Sequence, residues 1–139
     1  MAREMVRLAS ARARALVLIA TSARPDSPVQ AQRKVDTVCH LAATGFGGLS
    51  RAAVLASLHI SRSSDRELVE RVQSMSVRLG ADVFSRQAAV RRDGDMDNLS
   101  RIHCPTLVVA ADGDRLRSLE EPRELAERIL NAELGKLAA

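Results

Sequence analysis

Two carboxylates follow an aliphatic stretch late in the chain, and they are the residues best suited to chemistry. The stretch covers residues 105–111, and Asp112 and Asp114 come directly after it. A carboxylate at the end of a strand can orient a histidine and stabilise the protonated imidazole during acyl transfer. The same side chain can instead cap the next helix or face water, because an isolated carboxylate does not by itself mark a site. The pair therefore defines a candidate acid position, with both alternatives open.

Ser50 lies in a sequence that resembles the motif around a nucleophilic serine. Residues 48–52 (Gly-Leu-Ser-Arg-Ala) have the form G-x-S-x-small. A nucleophile elbow needs a buried strand before the serine and a sharp turn into a helix after it. Ser50 instead follows a helical stretch and a glycine-rich loop. We therefore expect Ser50 to cap the N-terminus of a helix and not to act as a nucleophile.

The thiol and imidazole groups do not follow a metal-binding pattern. Cys39 and Cys104 are far apart and have no C-x-x-C spacing. His40 and His103 each adjoin a cysteine, but neighbours in sequence point in different directions on a helix or strand, and no cluster of acids or sulfurs completes a site. We expect two buried, reduced thiols in a cytoplasmic protein, and no metal.

The composition is that of one globular domain. With 46% hydrophobic and 27% charged residues, the 139-residue chain can build its own core. Phe46 and Phe84 are its only aromatic residues, so aliphatic packing must dominate. The net charge of +4 comes from arginines spread along the chain. Since a nucleic-acid groove concentrates such charge and adds stacking aromatics, nucleic acid is not the expected partner.

Two aliphatic runs predict parallel strands. Residues 15–20 show no polar alternation, which is typical of a strand covered on both faces. Residues 106–110 follow Pro105, which is tolerated at the first position of a strand. An amphipathic helix is predicted before them, over residues 1–14, and another after them, over residues 122–130.

The apolar run at residues 15–20 is too short for a signal peptide, and no cleavage site follows cleanly, so we expect no membrane partner.

The middle of the chain has the pattern of a helical insertion. Helical periodicity extends over residues 29–98 and is interrupted at residues 45–48 and near Ser61. The turn at residues 93–95 carries two aspartates that we expect to be solvated. An EF-hand loop would need more ligands at fixed spacing.

The clearest helix of this insertion is predicted to begin at Ser64. Ser64 and Glu67 have the spacing of a capping box, and Gly80 is a suitable stop residue. Asp82 can begin another helix that carries Phe84 on one side.

Three segments, in this order, resemble the α/β-hydrolases that carry a helical cap. Residues 1–9 (Met-Ala-Arg-Glu-Met-Val-Arg-Leu-Ala) resemble the helix that follows the nucleophile elbow, and residues 15–26 resemble the sixth strand and the loop into the cap. Residues 104–109, together with Asp114, resemble the seventh strand and the catalytic-acid turn. The resemblance implies an α/β class: a partial α/β-hydrolase fold with two or three parallel strands, flanking helices and a helical cap insertion.

The same resemblance divides the chain into three parts. Residues 1–26 would form a core helix and strand, residues 27–100 a helical cap or lid, and residues 101–139 a core strand, acid loop and helix. It places the catalytic acid on Asp114, with Asp112 as a nearby substitute that fits the register less well. The local turn departs from the family pattern, since Arg117 and Ser118 stand where Thr-Pro is common.

On this resemblance, the two catalytic partners of the acid are missing. The elbow serine would lie a few residues before Met1, and the base histidine would follow an eighth strand. The sequence leaves the family pattern at Gly135 and contains no later histidine. The three histidines that it does contain all precede the acid, and they are His40, His59 and His103.

The implied function is that of a serine hydrolase acting on an ester, lactone or carbon–carbon bond of a small molecule, with no cofactor. Without serine and histidine, the chain alone is expected to be inactive. The alternative is a non-catalytic protein-interaction module that uses the helical cap and an open strand edge. The strand at residues 15–20 would have one bare edge, which also predicts self-association.

Overall fold

A computed structural model describes residues 2–114 and 116–137. These residues form three β-strands and six α-helices. The strands are β1 Leu16–Ile19, β2 Thr106–Ala111 and β3 Ala132–Leu137. The helices are α1 Ala2–Leu8, α2 Pro28–Thr44, α3 Arg51–Ser57, α4 Arg66–Leu79, α5 Ala81–Ala89 and α6 Glu120–Arg128. Short 3₁₀ turns cover Ser10–Arg12, Ile60–Arg62 and Met96–Arg101.

The strands form one parallel sheet in the order β1-β2-β3. Thr106 of β2 lies opposite Leu16 of β1 and Ala132 of β3. The predicted α/β class with two or three parallel strands is confirmed, and both aliphatic runs are strands. The third strand has no comparable sequence signal, because Gly135 and two charged residues interrupt its apolar positions.

The chain divides into two compact units. Met1–Arg24 and Gly94–Ala139 make up the first, which contains the sheet and which we call the sheet unit. Pro25–Asp93 make up the second, the helical unit, which contains α2 to α5. The helical unit is therefore inserted in the sequence between β1 and β2. No helix in the described ranges has the length and apolar character needed to cross a membrane.

The core of the sheet unit lies on one face of the sheet. Helices α1 and α6 and the 3₁₀ turn Met96–Arg101 supply the apolar side chains that cover this face. The buried residues are Val6, Leu16, Leu18, Ala23, Leu99, Ile102, Val108, Leu125 and Ile129. Eight of these nine are Leu, Ile or Val, which agrees with the aliphatic core expected from the composition.

The other face of the sheet is open. Val17 and Ile19 of β1 are 55% and 62% exposed, and Leu107 of β2 is 40% exposed. The prediction that the strand at residues 15–20 is covered on both faces is therefore wrong. A continuous aliphatic run indicates that both faces suit burial, but it does not provide the second covering layer.

The N-terminal helix is shorter than its predicted range of residues 1–14. It ends at Leu8, and Ala13 already has extended backbone angles. Only Val6 of α1 is buried, whereas Met5 and Leu8 are mostly exposed. Met1, the first residue of the predicted helix, lies outside the described residues.

The helical unit consists of two helix pairs. Helix α2 packs against α5, and α3 packs against α4. The rings of Phe46 and Phe84 stack with their centroids 4.5 Å apart and their planes 16° apart. Because Phe46 lies in the glycine-rich loop after α2 and Phe84 lies on α5, the stack holds this loop against α5. Val54 of α3 and Val69 of α4 are fully buried.

Side-chain caps fix where these helices begin. Ser27 and Gln30 form a capping box at the start of α2. Ser50 caps α3 by accepting a hydrogen bond from the Ala53 N–H, as predicted. The cap of α4 is Asp65, which accepts from the Leu68 N–H, and not Ser64. The capping-box prediction was one residue early, and the expected stop at Gly80 is confirmed.

Candidate active site

Asp114 lies in the turn that follows the central strand. Strand β2 ends at Ala111, and Gly113 has φ +75°, a backbone conformation that glycine adopts without steric cost. The Asp114 N–H donates to the Ala111 carbonyl at 3.4 Å, which closes the turn. The Asp-Gly-Asp sequence thus places the Asp114 carboxylate at the carboxyl end of β2. Ligands of open α/β sheets bind at that end of the strands.

The Asp114 carboxylate is held by the backbone. Its Oδ1 accepts hydrogen bonds from the N–H groups of Leu116 at 2.7 Å and Arg117 at 3.1 Å. The residue is half-buried, and no described residue donates to its Oδ2. The alternative that Asp114 caps the next helix does not hold, because α6 begins only at Glu120 and has no side-chain cap. The geometry therefore fixes one oxygen of the Asp114 carboxylate.

A small hollow adjoins Asp114. It has a volume of about 10 Å³ and is lined by residues from the carboxyl ends of β1 and β2 and from the start of α6. This volume suits one water molecule and is too small for a substrate. Among its lining residues are Ala20, Ala111, Ser118 and Pro122.

Ala20, on the wall of this hollow, has a strained backbone. Its φ of +47° is the one positive value among the described non-glycine residues. Its N–H donates to the Val109 carbonyl at 3.0 Å, so the conformation is held by the sheet. Such a conformation costs about 1–3 kcal/mol and occurs preferentially at functional sites. No sequence pattern marks an alanine for this conformation.

Asp112 is placed differently from Asp114. Its N–H donates to the Leu137 carbonyl at 2.9 Å and so extends the pairing of β2 with β3. The residue itself is exposed. Of the two predicted acid candidates, Asp114 has the better-fixed carboxylate.

The other candidate residues lie elsewhere. His103, the one histidine in the sheet unit, precedes β2, whereas Asp114 follows it. Six strand residues at about 3.3 Å each separate the two by roughly 20 Å, so they cannot form a hydrogen bond. His59 caps a 3₁₀ turn and lies 2.8 Å from the Ser61 hydroxyl. His40 is exposed on α2, and Ser50 caps α3.

No protein-family model and no curated protein gives a match to the sequence. Solved structures do match. An enol-lactonase from Burkholderia xenovorans LB400 aligns with a TM-score of 0.80 and 21% identity, over 98% of this chain and 52% of that one. A thermophilic esterase from Thermogutta terrifontis aligns with a TM-score of 0.79 and 24% identity, over 99% and 52%. An α/β-hydrolase from a deep-sea metagenome library gives 0.78 and 21%, over 99% and 52%.

The chain has the α/β-hydrolase fold. It spans about half the length of each of these three solved structures. The match confirms the predicted resemblance at the level of fold, and it places this chain as part of an α/β-hydrolase architecture.

Two ion pairs join distant segments of the sheet unit. Arg3 donates to both carboxylate oxygens of Asp95, at 2.6 and 2.7 Å, and to the Ser22 carbonyl at 2.9 Å. Arg24 donates to both oxygens of Glu124 at 2.8 and 2.6 Å, which raises the pKa of Arg24 and lowers that of Glu124. Asp95 is therefore not solvated as predicted. Because Arg3 lies 92 residues before Asp95 in the sequence, no local pattern predicts this ion pair.

The two cysteines of the chain differ in exposure. Both are free thiols, but Cys39 is exposed on α2 and Cys104 is half-buried before β2. The prediction of two buried thiols is wrong for Cys39, because none of the residues of α2 is fully buried. Among residues 2–114 and 116–137, no three histidine, cysteine, aspartate or glutamate side chains form a group that could hold a metal ion.

Proposed function

We propose that this chain is the acid-bearing part of a serine hydrolase that cleaves an ester, lactone or carbon–carbon bond. Asp114 is the acid, and the serine and histidine lie outside residues 1–139. The observation that carries this proposal is the carboxylate of Asp114, fixed by two backbone N–H groups at the carboxyl end of the central strand. The α/β-hydrolase fold of the chain supports it.

The geometry of Asp114 supports this role. In acyl transfer, a histidine removes the proton from the attacking serine hydroxyl and becomes positively charged. A carboxylate that accepts the other imidazole N–H orients the ring and stabilises this charge. Asp114 Oδ2 is the acceptor in this proposal, while Oδ1 stays bound to the Leu116 and Arg117 N–H groups. In this proposal the helical unit, Pro25–Asp93, is the cap that selects the substrate. Esters and lactones of small molecules are the substrates.

The DNA around the 139 codons provides the first test. The proposal predicts codons for a G-x-S-x-G motif shortly before the Met1 codon and for a histidine after the Ala139 codon. These codons can be in the same reading frame or in a shifted one. Flanking DNA that encodes neither residue in any frame would contradict the proposal.

Enzyme activity provides the second test. The purified 139-residue chain should not hydrolyse p-nitrophenyl butyrate faster than its Asp114→Asn variant does. In a polypeptide that includes the flanking segments, Asp114→Asn should lower kcat about 10⁴-fold, because the amide favours the wrong histidine tautomer. Asp112→Asn is the matched control and should leave kcat within twofold. Equal activity of the Asp114→Asn variant and the unmodified longer polypeptide would rule out the acid role.

A non-catalytic interaction module is the second candidate, and the open side of the sheet supports it. Val17 and Ile19 on the outer strand β1 are more than half exposed. In the parallel pairing with β2, the N–H and C=O groups of Leu16 and Leu18 face β2. The N–H and C=O groups of Val17 and Ile19 therefore point the opposite way, towards the free edge of β1. Such an edge can pair with another chain, including a second copy. Sedimentation should then show association that Val17→Lys abolishes, whereas a monomer at all concentrations with no bound partner would exclude this function.

A further inference from the structure

A groove in the helical unit is large enough for a small molecule. It has a volume of about 650 Å³, within the range of about 300–1,000 Å³ that is usual for ligand clefts. One wall is the apolar side of α2, with Ala31, Val35 and Val38. The opposite wall is the segment after α5, which includes Ala89 and Arg91. All of its lining residues lie within residues 25–93, so the helical unit forms it alone.

The wall formed by α2 is unusually exposed for an apolar surface. Helix α2 has 17 residues, and none of them is fully buried. Val35 is 55% exposed although it lines the groove. An aliphatic ligand would therefore remove apolar surface from water, which is favourable by about 25 cal/mol per Å².

The floor of the groove holds more positive than negative charge. The Asp26 side chain is 6% exposed and accepts hydrogen bonds from both Lys34 and Arg92. One carboxylate thus serves two cations. Over the whole lining, Lys34, Arg91 and Arg92 stand against Asp26 and Asp93, which leaves one positive charge in excess.

Arg91 is the cation best able to bind a ligand. Its partner Asp93 is 3.5 Å away, and the two side chains are 85% and 84% exposed. Exposed pairs of this kind contribute little to stability. A ligand carboxylate at the rim of the groove can therefore take the place of Asp93 at little cost.

We propose that this groove binds an organic anion with an aliphatic body, of the kind represented by a medium-chain carboxylate. The chain lies along Val35 and Val38, and the carboxylate pairs with Arg91 at the rim. The site is independent of the role proposed for Asp114.

Decanoate below its micelle concentration is the probe, and isothermal titration calorimetry of the 139-residue chain is the measurement. Decanoate should bind with one site per chain. Decyltrimethylammonium, which has the same chain length and the opposite charge, should bind more weakly. Arg91→Glu should weaken decanoate binding about fivefold by replacing an attraction with a repulsion. Arg71→Glu makes the same change in charge on α4, outside the groove, and should change the affinity less than twofold.

A second pair of variants locates the ligand. Val35→Asp places a charge on the apolar wall and should abolish binding, whereas Val17→Asp on the open face of the sheet should not affect it. Binding that is lost with Val17→Asp and kept with Val35→Asp would contradict the proposal. Equal affinity for decanoate and decyltrimethylammonium would also contradict the proposal, as would the absence of decanoate binding. If decanoate does not bind and Val35→Asp instead disrupts a dimer, the groove is a protein interface and the proposal is wrong.

Discussion

The carboxylate of Asp26 accepts hydrogen bonds from both the backbone N–H and the guanidinium of Arg92, at 3.0 and 2.7 Å. The Asp26 N–H in turn donates to the Arg92 carbonyl at 2.8 Å. The two residues stand 66 positions apart, near the first and last residues of the helical unit. Their contact closes this unit on itself.

Asp26→Asn should lower stability in a pH-dependent way. Hydrogen bonds from Lys34 and then from Arg92 hold the pKa of Asp26 well below its usual range. The unfolded value is about 3.9, so the stabilisation is fully present above that pH and is lost as the pH falls through the lower folded value. The difference in urea midpoint between wild type and variant should be constant from about pH 5 to 7 and shrink below about pH 4. The Asp93 side chain is 84% exposed, so Asp93→Asn should change the urea midpoint little. A pH-independent difference for Asp26→Asn would contradict this mechanism.

Gly48→Ala should destabilise the helical unit. Gly48 has φ +100°, and a Cβ atom there would lie 2.6 Å from Val77 Cγ2 and 3.0 Å from Ser76 Oγ. Overpacking and backbone strain together should cost about 1–3 kcal/mol in urea unfolding. At Gly47, an added Cβ meets nothing within 4 Å, so Gly47→Ala should stay within about 0.5 kcal/mol of wild type. Equal effects of the two variants would show that the contact with α4 is unimportant.

Ser76→Ala tests a buried hydroxyl beside that contact. Ser76 is 7% exposed, and its Oγ accepts from the Leu49 N–H at 2.8 Å and donates to the Gln73 carbonyl at 2.6 Å. The alanine would leave the Leu49 N–H without this partner, at a cost of about 1–3 kcal/mol. Thermal unfolding measures the loss. Ser74→Ala, at an exposed position of the same helix, should leave the Tm unchanged.

Leu125→Ala should destabilise the sheet unit strongly. Leu125 of α6 is completely buried in the core. Removing its side chain should cost about 2–5 kcal/mol through lost burial and the cavity left behind. Leu130 is 74% exposed, so Leu130→Ala should change the free energy of unfolding by less than about 0.5 kcal/mol. A small effect of Leu125→Ala would mean that the core collapses around the cavity.

The sequence predicted those parts of the fold whose signals are local. The aliphatic runs identified β1 and β2, and helical periodicity with stop residues such as Gly80 identified the helices of the middle segment. Strand β3 escaped prediction because Gly135 breaks its apolar pattern and its pairing partner lies in β2. The exposure of Val17 and Ile19 depends on which face the helices cover, and residue types cannot specify that.

The candidate site was predictable only in outline. An acid after an aliphatic run located Asp114, and its role as a catalytic acid stays a prediction. The fixing of its Oδ1 by the Leu116 and Arg117 N–H groups depends on loop geometry that no motif encodes. The same holds for the strained backbone of Ala20 and for the pairing of Arg3 with Asp95.

The stack of Phe46 on Phe84 supplies a spectroscopic label for one half of the molecule. Both rings belong to the helical unit, and residues 1–24 and 94–139 contain no phenylalanine, tyrosine or tryptophan. Ring-current shifts in a proton NMR spectrum therefore report the folding of the helical unit alone. Followed beside the amide signals of β2 during a denaturant titration, they reveal whether the two units melt together or in succession.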